Sequence, residues 1–528
     1  AELFSIFERG PEELSFWEAV HLMDLPMMKN HREKAMESLA LDVRVREAGD
    51  YCETWGKYDK AEEIYEKALT FAEERDRKLA NEDSQRIIAY YLKRKSDIMF
   101  TRGKIAQSVE LEEKSFSIVQ DIAEKNPTDK NQGNLAASYG RMGNRLEVQG
   151  KLDSAMEMYQ KSLEIHEKLC AKLGTAEWQR ALAVSYGDVG NILESQGDLS
   201  GAIEMYQKNL AILEKLDAEL STLQSRRDLA VSYNLVGDIL QEQGNFTDAL
   251  EMFRKSLAIR EKLSLELDTP QSWRDLSASY DRVGGILREQ GNFTGAMKMY
   301  RKSLAIHEKL SLELGTPQSQ RDLSVSYDHV GEILQEQRDF TGALGMFRKS
   351  LAIDEKLSLE LGTPQSRRDL AVSYRRVGDI LRAQRDFTGA LEMYQESLAI
   401  CEKLSLELGT PQSRRDLAMS YRRVGDILLT HRNFTGTLKM YRKDLAICES
   451  LSLELGTPSA YRDVMIACTN NAFILSEQEE YEEALLFAKR ALTIGEALAA
   501  QLDTDDARRE AEAMRNNLKI VEAYCKKS

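Results

Sequence analysis

The stretch Tyr280–Tyr300, YDRVGGILREQGNFTGAMKMY, decides the fold, because its landmarks return along the chain at one fixed interval. Tyr139, Tyr186, Tyr233, Tyr280, Tyr327, Tyr374 and Tyr421 stand 47 residues apart, and four residues after each comes a glycine, from Gly143 to Gly425. Twelve residues beyond the glycine stands a small residue: Ala155, Ala202, Ala249, Ala296, Ala343, Ala390, then Thr437. Four further on comes an aromatic: Tyr159, Tyr206, Phe253, Tyr300, Phe347, Tyr394 and Tyr441. Small residues let two helices approach closely, and the aromatic fills the neighbouring gap. Such a period means stacked copies of one helical unit, each leaving an apolar face that its neighbours must cover.

The period extends in both directions. Gly49, Gly56, Tyr58, Ala61, Tyr65 and Ala68 form an earlier copy, Gly103 to Phe116 a degenerate one, and Tyr481, Ala484 and Ala491 a last one. Between copies Leu-Gly-Thr-Pro recurs at Leu314, Leu361, Leu408 and Leu455, with Leu267-Asp268-Thr269-Pro270 as a variant. It reads as glycine ending one helix in the left-handed conformation, threonine capping the next, and proline at its first position. Within a copy, Gly244-Asn245-Phe246-Thr247 breaks the first helix, A, and Asn245 caps the second, B; Asp198, Asn292, Asp339, Asp386 and Asn433 stand equivalently. Each helix is then about 20 residues, roughly 30 Å long. The predicted organisation is an N-terminal helical cap over 1–38 (Trp17, Leu22, Met23, Leu25), ten tandem 47-residue repeats over 39–500, and a C-terminal capping helix over 501–528, polar from about Asp506 to Lys527.

Read as YxxxGxxLxxxGxFxxAxxxY, the motif resembles the tetratricopeptide repeat, though with a period longer than that family's usual 34 residues and without its helix-ending proline. The resemblance implies an all-α fold, a right-handed α-solenoid superhelix of about ten helix-turn-helix repeats. It further implies a protein–protein interaction scaffold that takes a partner protein or extended peptide along a concave groove lined by helix A. Counting from each tyrosine, the first groove position carries Gly140, Gly187, Asn234, Asp281, Asp328, Arg375 and Arg422. The fifth carries Asn144, Asn191, Asp238, Gly285, Glu332, Asp379 and Asp426, and the eighth Glu147, Glu194, Gln241, Arg288, Gln335, Arg382 and Leu429. The candidate partner-binding residues are therefore Asn144, Asn191, Asn234, Asp238, Arg288, Arg375, Asp379, Arg382, Arg422 and Asp426.

The middle copies repeat SLAIxEKLSLELGTPQS nearly unchanged, yet differ at these positions. Either a duplicated scaffold diversified its recognition face, or exposed positions drift where packed ones cannot. Arg375, Arg376, Arg382, Arg385, Arg422, Arg423 and Arg432, extended by Arg367, Arg368, Arg414 and Arg415, suit an acidic partner segment. Asp369, Asp379, Asp416 and Asp426 can instead pair with them at helical spacing as a solvated ion-pair network. The family's carboxylate clamp for chaperone tails needs a lysine after the tyrosine and an asparagine four on; Asn144 and Asn191 follow Gly140 and Gly187, so no complete clamp is present.

The rest of the sequence narrows the function classes. A net charge of -15 argues against nucleic acid and anionic membranes as partners. Six cysteines without a CxxC pair favour a reducing compartment, and no apolar run or signal peptide points to export, so a cytoplasmic protein is expected. His21, His31, His166, His307, His329 and His431 are scattered; His166 and His307 share a repeat position, read as facing out of helix B, and no HExxH occurs. No phosphate loop, nucleophile elbow or dinucleotide fingerprint occurs either, so no enzyme, metal or cofactor is expected. Two other readings remain: a sensing arm of a larger effector, since the chain starts at Ala1 rather than Met, and a self-assembling solenoid whose near-identical copies stack on each other.

Overall fold

In the computed structural model, residues 39–54, 58–502 and 504–525 are described; the expected cap over 1–38 and Gly56 lie outside them. Among the described residues there are twenty-one α-helices and no strand. They form A–B pairs: α1 (Leu39–Thr54) with α2 (Tyr58–Leu79), α3 (Glu82–Thr101) with α4 (Ile105–Lys125), and α5 (Asp129–Val148) with α6 (Leu152–Leu173). Next come α7 (Ala176–Ser195) with α8 (Leu199–Leu220), α9 (Leu223–Glu242) with α10 (Phe246–Leu267), and α11 (Pro270–Glu289) with α12 (Phe293–Leu314). Then follow α13 (Pro317–Glu336) with α14 (Phe340–Leu361), α15 (Pro364–Ala383) with α16 (Phe387–Leu408), and α17 (Pro411–Thr430) with α18 (Phe434–Leu455). The last pair is α19 (Pro458–Glu477) with α20 (Tyr481–Leu502), after which α21 (Asp505–Cys525) stands alone. The fold is an α-solenoid in two units, one up to Leu263 and one from Ser264; consecutive helices pack from α1 to α9 in the first and from α11 to α21 in the second.

The repeated landmarks are the core of each pair. Ala155 and Ala202 in the first unit, and Ala296, Ala343 and Ala390 in the second, have no exposed surface, and the aromatic four residues on is at most 4% exposed. The glycine of helix A lies under that aromatic ring. A Cβ at Gly190 would stand 2.4 Å from Tyr206 Cε1, and at Gly378 2.7 Å from Tyr394 Cε1, closer than any side chain tolerates. The 47-spaced tyrosine joins neighbours instead. Tyr233 Oη donates to Glu214 of the preceding B helix at 2.7 Å, and Tyr374 likewise to Glu355 at 2.8 Å.

Helix ends follow their local chemistry. Gly315, Gly362, Gly409 and Gly456 have φ of 57–61°, Thr316 and Thr363 Oγ1 accept from the N–H of Ser319 and Ser366 at 3.2 Å, and proline follows each threonine. The expected B-helix caps form as well: Asp198, Asn292, Asp339, Asp386 and Asn433 each accept from a backbone N–H at 2.9–3.0 Å. Where other copies have glycine in the A–B turn, Arg338, Arg385 and Arg432 hold φ of 62°, 66° and 54°.

His166 and His307 do not face out of helix B, as the sequence reading had it: they are 6% and 8% exposed. Each B helix turns this position into the seam between its own A helix and the next one. His307 Nε2 meets Ser277 Oγ at 2.8 Å and Nδ1 meets Ser326 Oγ at 2.6 Å; His166 Nδ1 meets Ser185 at 2.7 Å. Asp354 takes the same place, between Ser324 (2.9 Å) and Ser373 (2.5 Å), and Cys401 and Cys448 are buried there. Burial pushes both imidazoles below their usual range, His166 to about 4, so they are neutral near pH 7.

Candidate functional site

The candidate residues lie on A helices, and most are already engaged within the fold. The fifth position accepts a hydrogen bond from the B-helix tyrosine of its own repeat. Tyr159 Oη donates to Asn144 at 2.7 Å and Tyr206 Oη to Asn191 at 2.8 Å in the first unit; Tyr394 donates to Asp379 at 2.6 Å and Tyr441 to Asp426 at 2.8 Å in the second. Asn144 and Asn191 remain exposed, whereas Asp379 and Asp426 are half-buried. Asn234 is half-buried with its Oδ1 unpartnered among the described residues, and Asp238 adds its charge beside Tyr206.

The arginines sort into held and unheld. Arg288 is held by Glu332 at 2.7 Å and Glu336 at 2.6 Å, and Arg376 by Asp328 and Glu332. Arg422 Nε donates at 2.9 Å to Asp444, which has no exposed surface. Arg423 reaches Asp379 at 3.5 Å and Arg382 reaches Asp426 only at 3.9 Å. Arg375 is different: half-buried, it lies with Nη1 2.6 Å from Met419 Sδ and pairs with no carboxylate among the described residues. Burial above all, with Arg423 and Arg376 adding to it against Asp379, holds its guanidinium below the ordinary value.

The aspartates do pair with these arginines, but not at helical spacing. Arg368 binds Asp416 at 2.7 Å, 48 residues on, and Arg321 binds Asp369 at 2.8 Å, so the bonds run from one A helix to the next. Arg274–Asp322, Arg415–Asp463 and Arg462–Glu510 continue the ladder in the second unit, and Arg180–Asp228 is its counterpart in the first.

Two further surfaces stand out, the first formed in part by the groove positions Glu147, Asn191 and Glu194, the second outside the sequence reading. In the first unit a hollow of about 470 Å³ is lined by Glu147, Asn191, Glu194, Ser195 and Glu242. Beside it burial, followed by the charge of Glu147, raises the Asp188 carboxyl to about 7. In the second unit Leu312, Leu359, Leu406 and Leu453 occupy one repeat position and are 85–89% exposed, with Leu265 at 75%.

Tetratricopeptide repeat profiles match residues 182–262 and 228–309, residues 135–171 and 370–405, and residues 47–75. No curated protein matches the chain. Among solved structures, BtubC (BKLC) from P. vanneervenii is 19% identical, with 48% of this chain and 92% of that one covered and a TM-score of 0.40. The apo form of RapI is 15% identical, with 78% and 98% covered and a TM-score of 0.49. A STAND protein with a tetratricopeptide repeat sensor from Pyrococcus horikoshii is 13% identical, with 75% and 54% covered and a TM-score of 0.44.

Proposed function

Because the chain belongs to the tetratricopeptide repeat superfamily, as a variant with a 47-residue period, we propose that this protein-interaction scaffold binds an acidic extended segment of a partner protein across α15 and α17. The observation that carries the reading is Arg375, a half-buried guanidinium with no carboxylate of its own. A desolvated cation gains most from an incoming carboxylate, because the cost of stripping its water is already met in the free protein. Arg382, at 3.9 Å from Asp426, and Arg423, at 3.5 Å from Asp379, are loosely held and able to turn to the same segment. Arg422 is excluded from that role by its bond to the buried Asp444.

The test is fluorescence anisotropy of the full chain with acidic, neutral and basic peptides of equal length. Acidic peptides are expected to bind best, to weaken with salt, and to lose at least about tenfold in affinity, about 1.4 kcal/mol, in the double variant Arg375→Gln/Arg382→Gln. Equal binding of the three peptides, or an unchanged affinity in the variant, overturns the site. Arg422 stays unaltered, since its removal strands a buried charge and perturbs the fold.

A second reading concerns self-association of the second unit, and the exposed leucines favour it. Lys309–Glu313 and Lys356–Glu360 flank Leu312 and Leu359, so these two steps of the row offer an apolar knob between one positive and one negative charge, whereas Ser450 replaces the lysine before Leu453. An antiparallel second copy matches that row in period and in sign. Sedimentation velocity is expected to show a dimer that Leu312→Ser/Leu359→Ser/Leu406→Ser converts to monomer; a wild-type monomer at high concentration removes the reading.

A further inference from the structure

A cleft of about 320 Å³ opens in the first unit between α3, α4 and α5, with Arg46 of α1 at its edge. Its lining includes Arg46, Arg86, Lys93 and Arg141 and no carboxylate, in a chain where Asp and Glu number 87 against 72 Lys and Arg. Arg46 lies over the Tyr90 ring at 3.9 Å, and the cations together make the cleft face electropositive.

The cations are not equally satisfied. Arg86 is held by Glu82 and by Asn131 Oδ1 at 2.7 Å. Arg141 is anchored from the buried side, its Nε donating to the fully buried Glu112 at 2.9 Å and its Nη2 to Ser138 Oγ at 3.0 Å. Lys93, half-buried, has no hydrogen bond or ion pair to another described residue. Burial first, then the positive charge of Arg141, lower its pKa, and an anion seated against both side chains reverses the second effect and offsets the first.

Beside these cations Ile87 of α3 and Val119 and Ile122 of α4 give apolar surface, Tyr90, Ser115 and Asn131 add polar atoms, and Asn134 stands at the exposed rim. The volume is at the small end of the range for organic ligands, equal to that of about ten waters in the liquid. A bare inorganic ion would leave the apolar wall uncovered, and a purely apolar molecule would leave the lysine unpaired. We propose that this cleft binds a small organic anion, its phosphate or carboxylate group held by Lys93 and Arg141 and its carbon skeleton lying on Ile87, Val119 and Ile122. The site is separate from the peptide-binding reading above in both residues and ligand class, and stands without it.

The experiment is calorimetric titration of the full chain with hexyl phosphate, hexanoate and hexanol at constant ionic strength. At least one of the two anions is expected to bind in the millimolar range or tighter, and hexanol not to; which anion binds more tightly identifies the charged group. Lys93→Met is expected to weaken that binding at least tenfold and Lys93→Arg to keep it, while Lys298→Met on the exposed surface of α12 leaves it unchanged. Binding of neither anion, binding of hexanol as strong as that of the anions, or equal binding by wild type and Lys93→Met overturns the proposal.

Discussion

One added methyl group separates two glycines of the same helix type. At Gly190 a Cβ would lie 2.4 Å from the Tyr206 ring, whereas at Gly140 the nearest atom would be Asp188 Oδ2 at 3.5 Å. Gly190→Ala is therefore expected to destabilise the first unit by about 1–3 kcal/mol through overpacking, while Gly140→Ala gains up to about 1 kcal/mol of helix propensity. Urea denaturation of the two variants reads the difference. Asp188 gives a pH signature. Its folded value of about 7 lies above the ordinary 3.8, so the folded chain keeps a proton that the unfolded chain releases. Its contribution to stability is full below about pH 4, declines as the pH rises, and is lost above about 7. Asp188→Asn is expected to flatten that decline and to exceed wild type at pH 8 by about 1–2 kcal/mol, measured as unfolding free energy across pH.

At the level of the element, helix ends were legible and helix faces were not. Thr363 caps α15 because its hydroxyl, the Ser366 N–H and the following proline are neighbours in the chain. Thr363→Ala is expected to cost about 1 kcal/mol. The A–B turn reads equally locally: Arg385 sits at φ 66° where five sibling copies use glycine, and Arg385→Gly is expected to raise the thermal midpoint by relieving about 1 kcal/mol of left-handed strain. The orientation of His307 was misread, since which side of a B helix is outside depends on the next repeat's A helix, a neighbour 19 residues further on at Ser326. The same blindness hid the partners of Arg368 and Arg423, which are 48 and 44 residues distant, and so made the candidate arginines look freer than they are. Lys93 was within reach of sequence reasoning: it stands 47 residues before Gly140, in a copy whose tyrosine has become Leu92.

Across the molecule the buried seam follows a rule that the individual contacts do not announce. Where the B-helix position is His307 or Asp354, the residue beneath it in the same repeat is Ser277 or Ser324; beside His166, Leu213, Arg260, Cys401 and Cys448 it is Ala136, Ala183, Ala230, Ala371 and Ala418. The residue contributed by the following repeat varies less: beside His166, Leu213, His307, Asp354 and Cys401 it is Ser185, Ser232, Ser326, Ser373 and Ser420, and it departs at Ala467 beside Cys448. From His166 to Cys401 the within-repeat residue varies while the between-repeat residue named above stays serine. Each 47-residue period is thus an interchangeable cassette. Excision of Pro317–Thr363 joins Thr316 to Pro364 and brings His307 against Ser373 in place of Ser326, so His307 keeps a serine at the splice. An array wired this way can lengthen or shorten by recombination between its own near-identical copies and still yield a folded product, leaving the number of cassettes free to change in inheritance while the joint between them stays the same.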